Sequence, residues 1–452
     1  LLGYDLLYNG LNEVDRQIIE NGLLRPWAER LAAVTRGRSA NQGGVNHVVQ
    51  TIGLLLKDQE LIDLGLNLEG YGLRFNWLNA VNDDGTMWNQ PPMYMVGLAQ
   101  YYYRLAESYW NSGYDMFNET ISGERTTEFL GYDANFREPE YGDNVTVENM
   151  NPMKTRMGFY FNYIYPNRTY PRFGDTDSVI EYNLKYSSGM SKEIYEIVNS
   201  RMDDPRASWI ISEAQGNNRE RGIIPYRSLF LADALEETEP FKIGNEYFAE
   251  EGYNKLGSTM FKDYGLALLR SPGKAEDSTA ATLYWKRYQE PHGHPDMLNM
   301  TLYGAGALNI SDMGSFTYGS KVHVDYVTKT AGHNTVIIDE TEHWPAASGE
   351  SEVIFEGESS RGFLENAAIG PRSRAVKGWS DRIYSQGRNG IDSTLSRTLW
   401  QIDDYAIDVF KASGDGKTHN FDYLLNINGE LTSSSRELKA ETDETASLGN
   451  KN

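Results

Sequence analysis

The stretch from Tyr288 to Asp339, YQEPHGHPDMLNMTLYGAGALNISDMGSFTYGSKVHVDYVTKTAGHNTVIID, holds His292, His294, His323 and His333, four of the seven histidines in 452 residues. Around them the apolar positions follow a strand-like pattern. Met300, Leu302, Ala307, Leu308 and Ile310 flank a Gly-rich turn, and a β-branched run follows at Thr335-Val336-Ile337-Ile338. A sheet is therefore expected to present these side chains. His292 and His294, two residues apart, would leave one face of an extended strand together. His294, Asp312 and His333 supply two nitrogens and a carboxylate, a donor set that suits a divalent metal, zinc first, if neighbouring strands bring them together. The alternative is that His294 and His333 are structural, hydrogen-bonded to Asp296 or Asp312.

Outward from this stretch the pattern divides the chain. Residues 11–35 carry apolar positions at helical spacing, interrupted at Asn21-Gly22, which predicts two helices with a joint. A second helical pattern runs from Val45 to Leu68 with a break at Lys57-Asp58. A third runs from Met93 to Trp110, announced by Pro91-Pro92. Further candidates lie at 149–163, 191–201, 206–213 and 224–236. From about Tyr247 the reading changes to short strands, among them 264–270, 281–285, 398–402, 406–410 and 423–425, separated by turn residues. Repeated amphipathic helices followed by many strands predict a helical toroid and then an antiparallel β-sandwich. The boundary is expected near 238–248, giving domains 1–240 and 241–452, the second truncated at its C-terminus.

Composition is that of a globular chain, with 40% hydrophobic and 23% charged residues. The aromatic content of 12%, with 30 tyrosines, suits carbohydrate grooves as well as cores. A net charge of −22 argues against nucleic acid as partner, which requires a basic surface. Arg25, Arg30, Arg36 and Arg38 offer either a local positive strip ahead of Asn46 or a solvated helix face. The absence of cysteine removes disulfides and thiolate catalysis. No run approaches 18 apolar residues, so no membrane insertion is expected. The chain reads as a processed or truncated piece of a longer protein, secreted or periplasmic.

The ordered run His292-Gly293-His294-Pro295-Asp296, Leu302-Tyr303-Gly304, Asp312-Met313-Gly314 and Gly332-His333-Asn334-Thr335-Val336-Ile337-Ile338-Asp339 resembles the core signature of the heparinase II/III-like polysaccharide lyases, a group that includes heparin, heparan and alginate lyases. The resemblance implies an α/α toroid and a β-sandwich with the active site between them. It also implies β-elimination in a uronic-acid polysaccharide, an anionic partner. A base takes the proton on C5, the C4 oxygen leaves, and the carboxylate must be neutralised so that a dianionic enolate can form.

Site residues follow from the same resemblance. Asn46-His47 is similar to the family's Asn-His dyad, in which both contact the carboxylate and the histidine serves as base; by position alone the pair is ordinary capping at a helix start. Asp84-Gly85-Thr86-Met87-Trp88-Asn89-Gln90-Pro91-Pro92-Met93-Tyr94 resembles the segment that ends in the catalytic tyrosine. Tyr94 is thus the expected proton donor to the leaving oxygen, and a base where the geometry is syn. His292 would reach the carboxylate or C5, with a structural metal on His294, Asp312 and His333 behind it. Arg172, Tyr318 and Arg38 are the expected substrate contacts, although Arg172 could instead pair internally with Asp175 or Asp177. The motifs favour alginate, with heparin, heparan, hyaluronate and ulvan as alternatives. Outside this group stand a glycoside hydrolase working with two opposed carboxylic acids and a non-catalytic carbohydrate-binding protein.

Overall fold

The structure is a computed structural model, and it describes residues 1–33, 40–87, 91–125, 146–167, 169–176, 190–202, 204, 206–207, 257–271, 278–286, 292–343, 362–381, 383–384, 391–430, 432–433 and 435. Its N-terminal part is helical. After α1 (Leu2–Leu7), α2 (Glu13–Ile19) starts at Asn12, whose side chain accepts from the Asp15 amide. The joint expected at Asn21-Gly22 is present between α2 and the next helix, as a π turn and not a loop. Those residues lie in a π turn, Glu20–Leu24, that continues directly into α3 (Arg25–Ala32), so the wider turn accommodates them without ending the helix. The break at Lys57-Asp58 is present. Lys57 has φ 55°, and Asp58 caps the next helix by accepting from the amides of Glu60 and Leu61, which separates α4 (Ala40–Leu56) from α5 (Gln59–Asn67).

Next come α6 (Leu73–Ala80) and α7 (Pro92–Asn111), then a small ribbon of β1 (Ile121–Glu124) and β2 (Thr146–Met150), then α8 (Pro152–Asn162) and α9 (Met190–Arg201). Trp77, Leu98, Tyr102, Tyr103, Phe159 and Ile197 are among the residues that fill the core between these helices. The expected helices at 206–213 and 224–236 fall, apart from residues 206–207, outside the described residues, as does the boundary near 238–248.

Antiparallel sheets follow. One has the order β3 (Thr259–Phe261), β4 (Leu266–Arg270), β5 (Ala280–Tyr284), β6 (Asn299–Gly304), β7 (Ala307–Ile310); β8 (Val336–Ile338) pairs with a later strand. The other large sheet has the order β12 (Tyr405–Ser413), β11 (Thr394–Ile402), β10 (Ser373–Ser380), β9 (Phe363–Ile369), and β13 (Phe421–Tyr423) pairs with β8. Alternate residues of β10 and β11 point inward, where Val376, Leu395 and Leu399 meet Leu269, Leu283 and Trp285 of the first large sheet.

The two parts share one apolar seam. Phe261, Leu266 and Tyr284 belong to the core of the helices. Phe159 meets Phe261 at 5.3 Å between ring centroids, and Phe173 meets Tyr284 at 4.7 Å. Arg270 from β4 donates to the carbonyl of Ile164 at 3.0 Å, and the Asp263 amide donates to Asp84 at 2.9 Å. Loops that carry chemistry from either side are held against each other along this seam.

Candidate active site

On the helical side, Tyr94 lies in the first turn of α7, with its amide donating to the Pro91 carbonyl. The preceding Asn82–Thr86 turn is tied to that helix start from beneath. Arg156 of α8, wholly buried, donates to the carbonyls of Gly85 and Met95 at 2.8 and 2.7 Å. A second loop, Pro171 to Thr176, enters from the end of the helical part. Gly174 has φ 57°, and a Cβ there would lie 2.8 Å from the His292 carbonyl oxygen, so a glycine lets the loop press against that backbone. The Asp175 amide then donates to the same carbonyl at 2.8 Å, while the Thr176 carbonyl accepts from the Ser315 amide at 2.7 Å. Asp175 is thereby fixed between the His292 loop and the turn after Asp312.

His292 and His294 do not sit on a strand. They belong to a loop ahead of β6, and His292 adopts a left-handed conformation at φ 64°, costly for a residue with a Cβ. Two rings that a strand would have sent side by side converge instead on the two oxygens of one carboxylate. Nδ1 of His292 lies 2.8 Å from Oδ2 of Asp175, and Nε2 of His294 lies 3.0 Å from Oδ1. Tyr318 donates to Oδ2 at 2.9 Å, and Nε2 of His323 stands 3.9 Å from Oδ1. The Tyr94 hydroxyl is 3.2 Å from both Nδ1 of His292 and the Tyr318 hydroxyl, and the Tyr94 and His292 rings stack at 4.4 Å.

Proton positions follow from valence. Burial raises the Asp175 pKa, but hydrogen bonds from His292, His294 and Tyr318 outweigh it and hold the carboxyl well below the usual range. An ionised carboxylate only accepts, so His292 carries its hydrogen on Nδ1, His294 on Nε2, and Tyr318 points its hydrogen at Asp175. A neutral His292 ring then has its lone pair on Nε2. The Tyr318 oxygen accepts from Tyr94. Burial, with the charge of Asp175 behind it, raises the Tyr94 pKa, so the phenol holds its proton at neutral pH.

Behind His294 lies a second, enclosed layer. Nδ1 of His333 is 2.7 Å from Oδ2 of Asp312, whose other oxygen accepts from the Gly314 amide. Burial disfavours charge on both groups, but their attraction prevails, lowering the Asp312 pKa and raising that of His333. Donor atoms of Asp296, Asp312 and His333 all lie within 4.8 Å of one another. The convergent set therefore differs from the expected His294, Asp312 and His333 by having Asp296 in place of His294. Even so, Nδ1 of His294, Nε2 of His333 and Oδ2 of Asp296 are buried and without a hydrogen-bond partner, and the two rings are 5.3 Å apart. Two orphaned imidazole nitrogens beside two carboxylates fit a divalent cation of the zinc type. Held there, it would pin the His292 loop to the strands behind it.

Other expected residues are placed differently. Asn46 is not at a helix start but inside α4, buried, where its amide donates to the Tyr71 carbonyl and accepts from Gln42. His47 stacks on Tyr101 at 5.6 Å, and burial, aided by the charge of Arg104, lowers its pKa to about 4. Tyr101 is seven residues along α7 from Tyr94, about 10 Å by helix rise, so His47 stands beside the cluster and no described contact joins it or Asn46 to Tyr94 or His292. Arg172 does not pair with Asp175; none of the described ion pairs involves it, and its stem packs against Gly314. Arg38 and Arg36 lie outside the described residues, and Arg25 pairs with Asp58. Sequence reasoning placed Asp175 only as a partner for Arg172 and left His323 without a role. The signal for Asp175 was the glycine before it, which allows that loop to touch another backbone.

Residues 254–377 match the family described as Heparinase II/III-like, C-terminal. Over that stretch the chain is similar to a heparinase II/III-like domain. The whole fold, helical toroid followed by sandwich, is that of solved heparinase structures. A heparinase III superposes with a TM-score of 0.58 at 15% sequence identity, covering 90% of this chain and 50% of that one. A second heparinase III gives 0.53 at 14% identity, covering 86% and 49%. A mutant of the heparan sulfate lyase HepC from Pedobacter heparinus gives 0.54 at 12% identity, covering 86% and 48%. The chain thus spans about half the length of these structures. No curated protein matches it in sequence. Among the described residues no helix is long and apolar enough to cross a membrane.

Proposed function

We propose that this heparinase II/III-like chain is a polysaccharide lyase, a carbon–oxygen lyase that cleaves a uronate-containing polymer by β-elimination, with alginate the first choice of substrate. One observation carries the reading. A phenol from the helical part and an imidazole from the sandwich part meet at 3.2 Å, with the phenol protonated and Nε2 of the imidazole clear of the carboxylate that orients it.

The chemistry divides between them. Nε2 of His292 takes the C5 proton; the C–H electron pair becomes the C4=C5 double bond as the C4–O bond breaks; and the leaving oxygen takes the Tyr94 proton. After product release Nε2 of the imidazolium gives its proton to solvent and the Tyr94 phenolate takes one from solvent, so the pair is restored with the His292 hydrogen still on Nδ1. Arg172, three residues before Asp175 and without a described ion pair, is our candidate for the substrate carboxylate. His47, neutral at pH 7, and Tyr318 would line the groove, and the cation of the enclosed layer would serve stability and not the proton transfers.

Alginate is favoured because the groups gathered on Asp175 among the described residues are phenols and imidazoles, with no lysine or arginine, which suits a carboxylate-bearing chain better than a heavily sulfated one. The fold relatives named for heparin and heparan sulfate make a glycosaminoglycan the second reading. Such an enzyme would work outside the cytoplasm, secreted or periplasmic. Incubation with alginate, heparan sulfate, hyaluronate and ulvan, followed by the ultraviolet absorbance of unsaturated uronate ends, tests both. Alginate alone giving strong absorbance supports the first reading, and a sulfated chain as best substrate replaces it with the second. New reducing ends without absorbance would indicate a hydrolase and sink the lyase reading, as would no cleavage of any polymer.

A further inference from the structure

We infer that Asp175 is a positioning residue that sets the tautomer of His292 and the direction of the Tyr94–Tyr318 hydrogen bond. Its catalytic consequence rests on the lyase reading above, whereas the tautomer is a property of the folded chain by itself.

Two groups compete for Nδ1 of His292: Oδ2 of Asp175 at 2.8 Å and the Tyr94 hydroxyl at 3.2 Å. The carboxylate can only accept, so it requires a hydrogen on Nδ1. The phenol can donate, and without the carboxylate it would donate into Nδ1 and place the ring hydrogen on Nε2. That exchange would disable both partners at once, because the base would lose the lone pair that faces the groove and the acid would direct its proton at the base. Tyr318 is controlled through the same oxygen. Its hydrogen goes to Asp175, so its own oxygen must accept from Tyr94, which holds the Tyr94 proton away from His292.

Asp175 is built for this task and for little else. It is 2% exposed, yet none of its described partners is an arginine or lysine of the kind a structural ion pair would use. Its backbone is clamped on both sides, by its own amide on the His292 carbonyl and by Thr176 on Ser315. Oδ1 meanwhile takes the His294 hydrogen at 3.0 Å, which turns the other nitrogen of that ring inward to the enclosed layer. One carboxylate thereby orients a groove-facing ring and an inward-facing ring in opposite senses.

The test uses Asp175→Asn, nearly isosteric, with an amide that can donate where the carboxylate accepted. The expected result is a fall in kcat of about a hundredfold or more from the wrong tautomer, with KM changed less than about threefold. Asp175→Glu, which keeps the carboxylate, is expected to recover part of the lost kcat. The deciding readout is ¹⁵N NMR of histidine-labelled full chain at about pH 9, where imidazoles are neutral, with His292→Ala identifying the signal. Wild type should carry the His292 hydrogen on Nδ1 and Asp175→Asn on Nε2. A wild-type hydrogen on Nε2, or an unchanged tautomer in a folded Asp175→Asn, overturns the inference. Should Asp175→Asn fail to fold, the wild-type spectrum still decides. A chain inactive on every uronate polymer would defeat the lyase reading and leave the NMR result to judge Asp175.

Discussion

Two histidine–carboxylate layers meet at the seam between helices and sheets, and they differ in what they leave free. In the front layer Asp175 gathers His292, His294 and Tyr318, and 41% of the His292 side chain remains exposed. In the back layer Asp312 holds His333 with both side chains wholly buried, and the unsatisfied nitrogens of His294 and His333 are shut inside. The pairing chemistry is the same. Access decides the use: a ring opening on a groove can meet a polymer, and a ring sealed in the interior can serve only an ion or the fold.

The sharpest way to break this contrast is to remove a front-layer proton. Tyr94→Phe deletes one hydroxyl that donates to Tyr318 at the groove. Turnover is expected to fall by about 10⁴-fold, the upper end for a general acid, while substrate affinity and thermal unfolding stay close to wild type. Near-normal product formation by the variant would take Tyr94 out of the reaction.

In the back layer the same kind of deletion should appear as stability. Asp312→Ala strips the partner from buried His333 and leaves the Asn299 amide and the Gly314 N–H without their acceptor. A loss of about 3–5 kcal/mol is expected, as for other broken buried pairs. Urea unfolding measures it, and a loss under about 1 kcal/mol would mean that the layer is not structural. Chelation should act in the same direction. An ion held at a hundredfold above its dissociation constant contributes about 3 kcal/mol, so its removal is expected to lower Tm more than it lowers the rate at low temperature. A lost rate at unchanged Tm would move the ion into the front layer, and metal analysis finding nothing bound would remove it altogether.

How far the sequence disclosed this contrast depends on the range of each signal. Helices such as α7 and the break at Lys57-Asp58 were legible because periodicity, proline and capping act within a few residues. The Asn21-Gly22 joint was legible too, but not that a π turn would form it, since such a turn absorbs residues that usually end a helix. His292 was recognisable by motif, but its loop was not, because alternation cannot reveal a left-handed residue. Asp175 escaped because its partners lie 117 to 148 positions away in sequence, and only folding brings them together. Asn46 shows the converse: its motif suggested chemistry, whereas the fold engages its amide with Gln42 and Tyr71.

Another buried histidine extends the comparison to a ring whose described hydrogen bond goes to a backbone carbonyl. Nε2 of His343 lies 2.9 Å from the carbonyl of Val336, its Nδ1 has no partner, and burial lowers its pKa to about 4. In the unfolded chain the ring titrates near its ordinary value of about 6.5, so between roughly pH 6.5 and 4 the unfolded state binds a proton that the folded state refuses. Stability must then fall as pH drops through that window and level off below it. From pH 7 to pH 5 the loss from this ring is about 2 kcal/mol, at about 1.4 kcal/mol per pKa unit. His343→Gln keeps a donor for Val336 but cannot titrate, and comparing variant with wild type cancels groups common to both, including Asp84, whose burial raises its pKa to about 6 and gives the opposite slope. Urea midpoints at pH 7 and pH 5 should therefore lie closer together in the variant. Equal spacing in the two proteins would show that this ring takes up a proton inside the fold, and that enclosure alone does not keep a histidine neutral here.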